Sequence, residues 1–134
     1  MSDIARSSMP FCAELGITTL LATAGEVKLA IDWSPERCTV NGAMHGGVLM
    51  SLADSAGAIC AFLNLPEGAA GTSTIQSSTN LVAAVREGQV TATTRPLHAG
   101  RSTIVVVTEL HNNGRLVAVT TQTQTVLLPV NPPT

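Results

Sequence analysis

Along part of the chain hydrophobic and polar residues alternate with a period of two. Val27, Leu29 and Ile31 are interleaved with Lys28, Ala30 and Asp32, the signature of a strand with one buried face. The Thr-rich, β-branched run from Ile17 to Ala24 precedes them, and Ala24-Gly25 supplies a turn. A hairpin is therefore predicted, ending at Ser34-Pro35. Upstream, the run PFCAEL closed by Gly16 predicts a short helical turn. From Gly46 to Leu63 the pattern changes: GGVLMSLADSAGAICAFL is rich in Ala, Leu and Met and poor in β-branched residues, so helix is favoured over strand. Its apolar residues keep to no single stripe, which predicts a helix buried nearly all round. Asn64 and Pro66 end it.

After the helix, strand patterns return. Thr72–Val85 is one, and Gln89–Leu97 follows the Glu87-Gly88 turn. Thr103–His111 is a third, and Asn112-Asn113-Gly114 forms a hairpin turn because Asn and Gly tolerate positive φ. Arg115–Leu128 pairs back until Pro129, Pro132 and Pro133 stop it. One helix among six hairpin-connected strands predicts an α+β fold, a single antiparallel sheet curved around that helix. No repeat of 20–50 residues recurs, and the 134 residues are read as one domain, 1–134.

Composition sharpens this picture. Hydrophobic residues make up 45% and charged residues only 12%, about half the charge of an average globular chain. So few charges leave surface suited to a second subunit, and a homo-oligomer is expected. The net charge of −2 and 2% aromatic content supply neither the basic stripe nor the stacking platform that nucleic acid requires. Cys12, Cys38 and Cys60 are odd in number and widely spaced, and are expected to be reduced structural thiols. The N-terminus MSDIARSSMPFCAELG lacks a signal-peptide pattern, and no run of about 18 continuous apolar residues suggests a membrane span. A cytoplasmic protein without a membrane partner is the expectation.

Between Glu36 and Glu67 the only carboxylate is Asp54, in the middle of the apolar helix. An unpaired buried charge costs several kcal/mol, so its presence calls for a reason. It could cap a helix beginning at Ser55, accept a hydrogen bond from a neighbouring strand's amide, or do chemistry. Just upstream, Asn41-Gly42-Ala43-Met44-His45-Gly46-Gly47 leads into the helix. The first amides of a helix have no internal partner, and the dipole there favours an anion or a developing oxyanion. The run lacks the Gly-Lys-Ser/Thr ending of a phosphate loop. Two helical turns separate these amides from Asp54, and an isologous dimer could bring one subunit's Asp54 beside the other's glycines.

The run TVNGAMHGGVLMSLADSAGA resembles the signature of hotdog-fold thioesterases of the phenylacetate-pathway and 4-hydroxybenzoyl-CoA type. In these a His-Gly-Gly opens the central helix and an acid follows nine residues after the His, the spacing of His45 and Asp54. The resemblance extends over nearly the whole chain, including a Gly100-Arg101-Ser102 turn and the Gly114-Arg115-Leu116-Val117-Ala118 start of the last strand. It implies hydrolysis of an acyl-CoA thioester without metal or cofactor, CoA entering as part of the substrate. The amide of Gly46, next to Gly47, would polarise the carbonyl. Asp54 of the partner subunit would act as general base or nucleophile, and His45 would brace the loop. A dimer is the minimum assembly implied, with a dimer of dimers as an extension.

Two positions depart from the family pattern. Six residues before the His, where relatives commonly carry Asn or Gln, stands Thr39, and Asn41 could serve only with a shift of two residues. One turn after the acid, where some relatives carry Thr, stands Ala58, while Ser73 matches a Ser that others use at the start of the next strand. For the CoA phosphates Arg101, with Ser102, is the first candidate, followed by Arg86 and Arg95. Leu49, Leu52, Phe62 and Ile75 are the candidate acyl pocket. His98 and His111 have no partner at metal-ligand spacing. An acyl-CoA-binding hotdog module without turnover and a hotdog dehydratase or hydratase are the alternatives. Asp54 weighs against the first and the adjacent His-Gly-Gly against the second.

Overall fold

The computed structural model describes residues 3–130. Two short helices, α1 (Ile4–Ser8) and α2 (Pro10–Leu15), precede a hairpin of β1 (Thr18–Ala22) and β2 (Val27–Asp32). The long helix α3 (Gly46–Leu63) follows, and then β3 (Gly71–Leu81), β4 (Gln89–Ala99), β5 (Thr103–Asn112) and β6 (Arg115–Leu127). The six strands form one antiparallel sheet in the order β1-β2-β4-β5-β6-β3. α3 packs against β2 through β6, so the sheet wraps the helix as the hotdog fold requires.

The β5–β6 hairpin turns through Asn113 and Gly114, at φ 51° and 77°, the pair of positive angles that a tight two-residue turn demands. Inward residues of β5 alternate along the strand, with Val90, Ala92 and Thr94 of β4 beside Ile104, Val106, Thr108 and Leu110 beneath the helix. Leu49, Leu52, Ala53, Ala56, Ile59 and Cys60 of α3 meet them in the core. Small residues on this face let the helix sit close to the sheet. Pro96 lies inside β4 where the register shifts between Pro96 and His98, a bulge being where a strand tolerates a missing N–H.

Three expectations change. β3 stops at Leu81 instead of reaching Val85, because the amides of Val82 and Ala83 both turn to the single carbonyl of Val117 and the ladder ends there. Val85 then plunges into the core, and its carbonyl accepts from the Met44 amide at 2.8 Å. α1 was not anticipated, and it is held by Asp3. That carboxylate accepts from the amides of Ala5 and Arg6 at the helix start, and from the Thr19 amide and hydroxyl on β1. Third, α3 is not buried all round: Gly47, Met50, Asp54 and Phe62 are exposed, with Ser51 and Ala58 half-buried between them. These residues recur every three to four positions and form one open stripe. The stop at Pro132 and Pro133, like Met1 and Ser2, lies outside the described residues.

Asp3 caps α1 and ties it to the sheet. Asp3→Ala is therefore expected to cost about 1 kcal/mol, the usual loss for an N-cap, measured as a lower urea midpoint with an unchanged slope.

Candidate active site

The loop before α3 is pinned from several sides. The Trp33 indole donates to the Gly42 carbonyl at 3.0 Å, and the His45 amide donates to the Arg37 carbonyl at 2.8 Å. Thr39 donates through its amide to Ala43, and Cys38 bridges to Met44. Asn41 and Gly42 both have positive φ, 61° and 70°, so the chain reverses there and Asn41 is exposed at the bend. Thr39 is also exposed.

His45 is the N-cap of α3. Its Nδ1 accepts from the Gly47 amide at 2.8 Å, which places the ring proton on Nε2. A Cβ at Gly47 would lie 2.9 Å from that nitrogen, so glycine is what lets the imidazole fold back over the helix end. The Gly46 amide, by contrast, has no hydrogen-bond partner among the described residues. Of the paired glycines, Gly46 keeps its donor free at the positive end of an 18-residue helix. Leu81 of β3 lies against the Cα side of Gly46, where a Cβ would come within 2.7 Å of its Cδ1.

Asp54 lies on the open stripe of α3, eight residues after Gly46. At 1.5 Å per residue that is about 12 Å along the axis. The helix runs unbroken through it, so it caps nothing. Its Oδ1 accepts from the side-chain amide Nε2 of Gln122 on β6 at 2.6 Å. The residue is exposed in the single chain, yet the surrounding protein desolvates the carboxyl and raises its pKa, with the Gln122 hydrogen bond pulling the other way. One residue further on, the Ser55 hydroxyl donates to the Ser51 carbonyl and accepts from the buried Cys12 thiol. Burial raises the pKa of Cys12 and pushes Cys60 up to about 11, so both stay protonated and poorly nucleophilic.

Beyond Asp54 the stripe leads into an apolar cavity of about 350 Å³. Ala58, Ile59 and Phe62 of α3 form one wall, Ile4 and Met9 of the N-terminal segment another, and Thr72 of β3 its edge. Of the expected pocket residues, Phe62 lines this cavity. Leu49 and Leu52 instead point into the core at 3% and 0% exposure, on the helix face that meets the sheet. Ile75 is exposed at a bulge in β3.

The register separates two serines on β3. Ser73 pairs with Thr125, whereas Ser77 pairs with Gln122. Directly opposed residues share a sheet face, and Gln122 faces α3. Ser77 thus lies on the helix side and Ser73 on the outer side. Arg101 and Ser102 are exposed in the β4–β5 turn. The adjoining Thr103 connects through Thr125 to Ser73, the end of the sheet opposite Leu81 and Gly46. Arg95 is engaged by Glu26, and Arg86 is exposed before β4. His98 packs against Gly100, and His111 lies within β5. Among the described residues no three His, Cys, Asp or Glu side chains approach a metal-binding arrangement.

Gln122 was not anticipated from the sequence. β6 reads Thr-Thr-Gln-Thr-Gln-Thr, polar at both parities, so alternation gives no hint which set faces the helix. The available signal was Asp54 itself, a carboxylate in an apolar helix that needs a donor from a facing strand.

Comparison with known proteins bears on the same residues. Residues 41–119, from the loop before α3 to the middle of β6, match the thioesterase superfamily. The protein named as an esterase, Rv1847 of Mycobacterium tuberculosis, is 29% identical over 114 residues, 83% of this chain and 81% of that one. Its solved structure superimposes with a TM-score of 0.87 over 92% of this chain and 100% of its own. Thioesterase HI1161 of Haemophilus influenzae gives a TM-score of 0.85 at 24% identity, covering 93% and 88% of the two chains. A phenylacetic acid degradation-related protein of Ralstonia eutropha gives 0.82 at 24% identity over 92% and 96%. With the His-Gly-Gly helix start and the acid nine residues on both inside the matched region, which spans more than half of the chain, the chain belongs to the thioesterase superfamily.

Proposed function

We propose that the chain hydrolyses an acyl-CoA thioester in a site shared between two subunits, without a metal or cofactor. The observation that carries this reading is the separation of the free Gly46 amide from Asp54, about 12 Å along one helix. They cannot meet at one carbonyl within a protomer. Beside them β3 is an edge strand with polar, exposed residues along most of its length. Unpaired edges invite another strand, and a two-fold pairing of β3 with a second β3 would bring the open helix stripes together. Each carbonyl would then lie between Gly46 of one subunit and Asp54 of the other.

In that arrangement the Gly46 N–H donates to the thioester oxygen and stabilises the oxyanion as the carbonyl carbon becomes tetrahedral. Asp54 removes a proton from water, whose oxygen bonds to that carbon. The C–S bond then breaks and CoA thiolate departs, to be protonated. In the nucleophilic variant an Asp54 oxygen attacks first, giving a mixed anhydride that water opens. A thiolate is a good enough leaving group for one carboxylate and one oxyanion donor to suffice. His45 braces the helix start through Gly47. Arg101, which forms no ion pair among the described residues, is the candidate for the CoA phosphates, with Ser102 beside it. The acyl group would occupy the cavity past Ala58, whose lining carries no charged side chain. Neutral aryl and medium aliphatic acyl groups suit it, and dicarboxylic acyl groups do not.

Thiol release from benzoyl-CoA and hexanoyl-CoA, with succinyl-CoA as the charged comparison, tests this reading. Hydrolysis of the neutral pair is expected to fall by at least about 10³-fold in Asp54→Asn, as for loss of a group that moves the proton. Release unchanged in that variant refutes the role of Asp54. The same variant is expected to unfold at a higher denaturant concentration near neutral pH. The raised pKa of Asp54 means its contribution to stability is present below the unfolded carboxylate value and lost as pH rises through the folded one. The gain should therefore vanish in acid.

Sharing of the site is tested by mixing. Gly46→Pro removes the amide at a helix position where proline is tolerated, and the side chain it must displace is the exposed Leu81. Alone, Gly46→Pro and Asp54→Asn should both be inactive. Reassorted together they should recover about a quarter of wild-type activity, since half the dimers are mixed and each holds one intact site. No recovery on mixing would place the site within one subunit.

A further inference from the structure

We infer that Gln122 is the positioning residue for Asp54, and that Gly57 exists in α3 to let it reach. This rests on the reading of Asp54 as the catalytic carboxylate. Gln122 is 1% exposed in the middle of β6, and two residues along the same face lies Gln124, which makes a useful contrast. Gln124 uses both ends of its amide on β3: Thr72 donates to its Oε1 at 2.9 Å, and its Nε2 donates to Thr74 at 2.6 Å. That is a structural amide, satisfied within the sheet.

Gln122 does otherwise. Its Nε2 leaves the sheet for Asp54 Oδ1 at 2.6 Å, while its Oε1 is buried without a hydrogen-bond partner among the described residues. Leaving a buried acceptor orphaned is unfavourable, and a residue chosen for packing alone would avoid it. The orphan oxygen lies over Gly57, where a Cβ would sit 2.1 Å from Oε1, 2.9 Å from the amide carbon and 3.2 Å from Val106 Cγ2. Glycine in a helix interior is destabilising relative to Ala. Two local penalties, the glycine and the orphan, thus converge on one hydrogen bond, and that bond ends on the carboxylate of the site. An ionised carboxylate only accepts, so the NH₂ end faces Asp54 and favours its charged form while leaving Oδ2 free.

Few other groups act on Asp54. The inward residues of β2, β4, β5 and β6 are un-ionisable, and β3 has no titratable side chain. From α2 the Cys12 thiol is near enough to feel the carboxylate, and burial keeps it protonated. On α3 itself the other titratable groups are His45, at the N-cap, and Cys60, whose thiol burial keeps protonated. Among the described residues Gln122 is accordingly the one hydrogen-bond donor that opposes the desolvation of Asp54.

The test titrates Asp54 directly, through the carboxyl ¹³C resonance of aspartate-labelled protein. In parallel it records kcat/KM against pH for benzoyl-CoA in wild type, Gln122→Met and Gly57→Ala. Both variants are expected to move the Asp54 midpoint and the acidic limb of the profile to higher pH. Both should lower kcat on the plateau by about 10- to 100-fold, the penalty for a misplaced reacting group, with KM little changed. Gly57→Ala keeps Gln122 but displaces its amide, so it should reproduce the Gln122→Met shift, and the double variant should be no worse than Gln122→Met alone. An unmoved Asp54 titration in both variants overturns the inference, whatever the activity does. If wild type releases no thiol but the Asp54 titration moves in both variants, the coupling stands and the thioesterase reading falls instead.

Discussion

A curved sheet can cover only part of a helix's circumference. The residues of α3 that meet β2, β4, β5 and β6 are small or aliphatic and fully buried, while the stripe through Gly47, Met50, Asp54 and Phe62 faces outward. The candidate site lies along that uncovered stripe. It starts at a free backbone amide, passes a carboxylate, and ends at an apolar cavity walled on one side by α1 and Met9. It also adjoins the exposed β3 edge, where the sheet ends.

At the helix start backbone amides and the helix dipole supply partial positive charge that is fixed in place before any substrate arrives. The protein invests its specificity in shaping that end. Asn41 and Gly42 reverse the chain, Val85 and Arg37 hold Met44 and His45 by their carbonyls, and His45 takes the Gly47 amide, leaving Gly46 as the open donor.

At the centre of the stripe several local stability penalties gather around Asp54. Desolvating Asp54 raises its pKa and destabilises the ionised folded state, which a core built only for stability would avoid. The orphaned oxygen of Gln122 and the helix-interior Gly57 are further local penalties around the same carboxylate. Around them a hydrophobic cluster runs from Ala5 to Val126 and supplies the bulk of the core.

Local chemistry wrote much of this into the sequence. The composition of GGVLMSLADSAGAICAFL set both ends of α3, Asn113-Gly114 set the hairpin, and the His45–Asp54 spacing marked the family. Each depends on residues close in the chain. Other features depend on residues far apart and were not legible. Whether Thr120, Gln122 and Gln124 or their neighbours face the helix is decided by register with β3 and β5. A bulge at Ile75 puts Ser77, and not Ser73, on the helix side. The stripe of α3 left open is decided by how far the sheet curls, which no helical periodicity reports when nearly every residue is apolar. The sequence determined the elements and the reactive groups. Tertiary structure alone decided which of them face one another, because strand pairing and helix docking join residues 68 positions apart through contacts that no local pattern encodes.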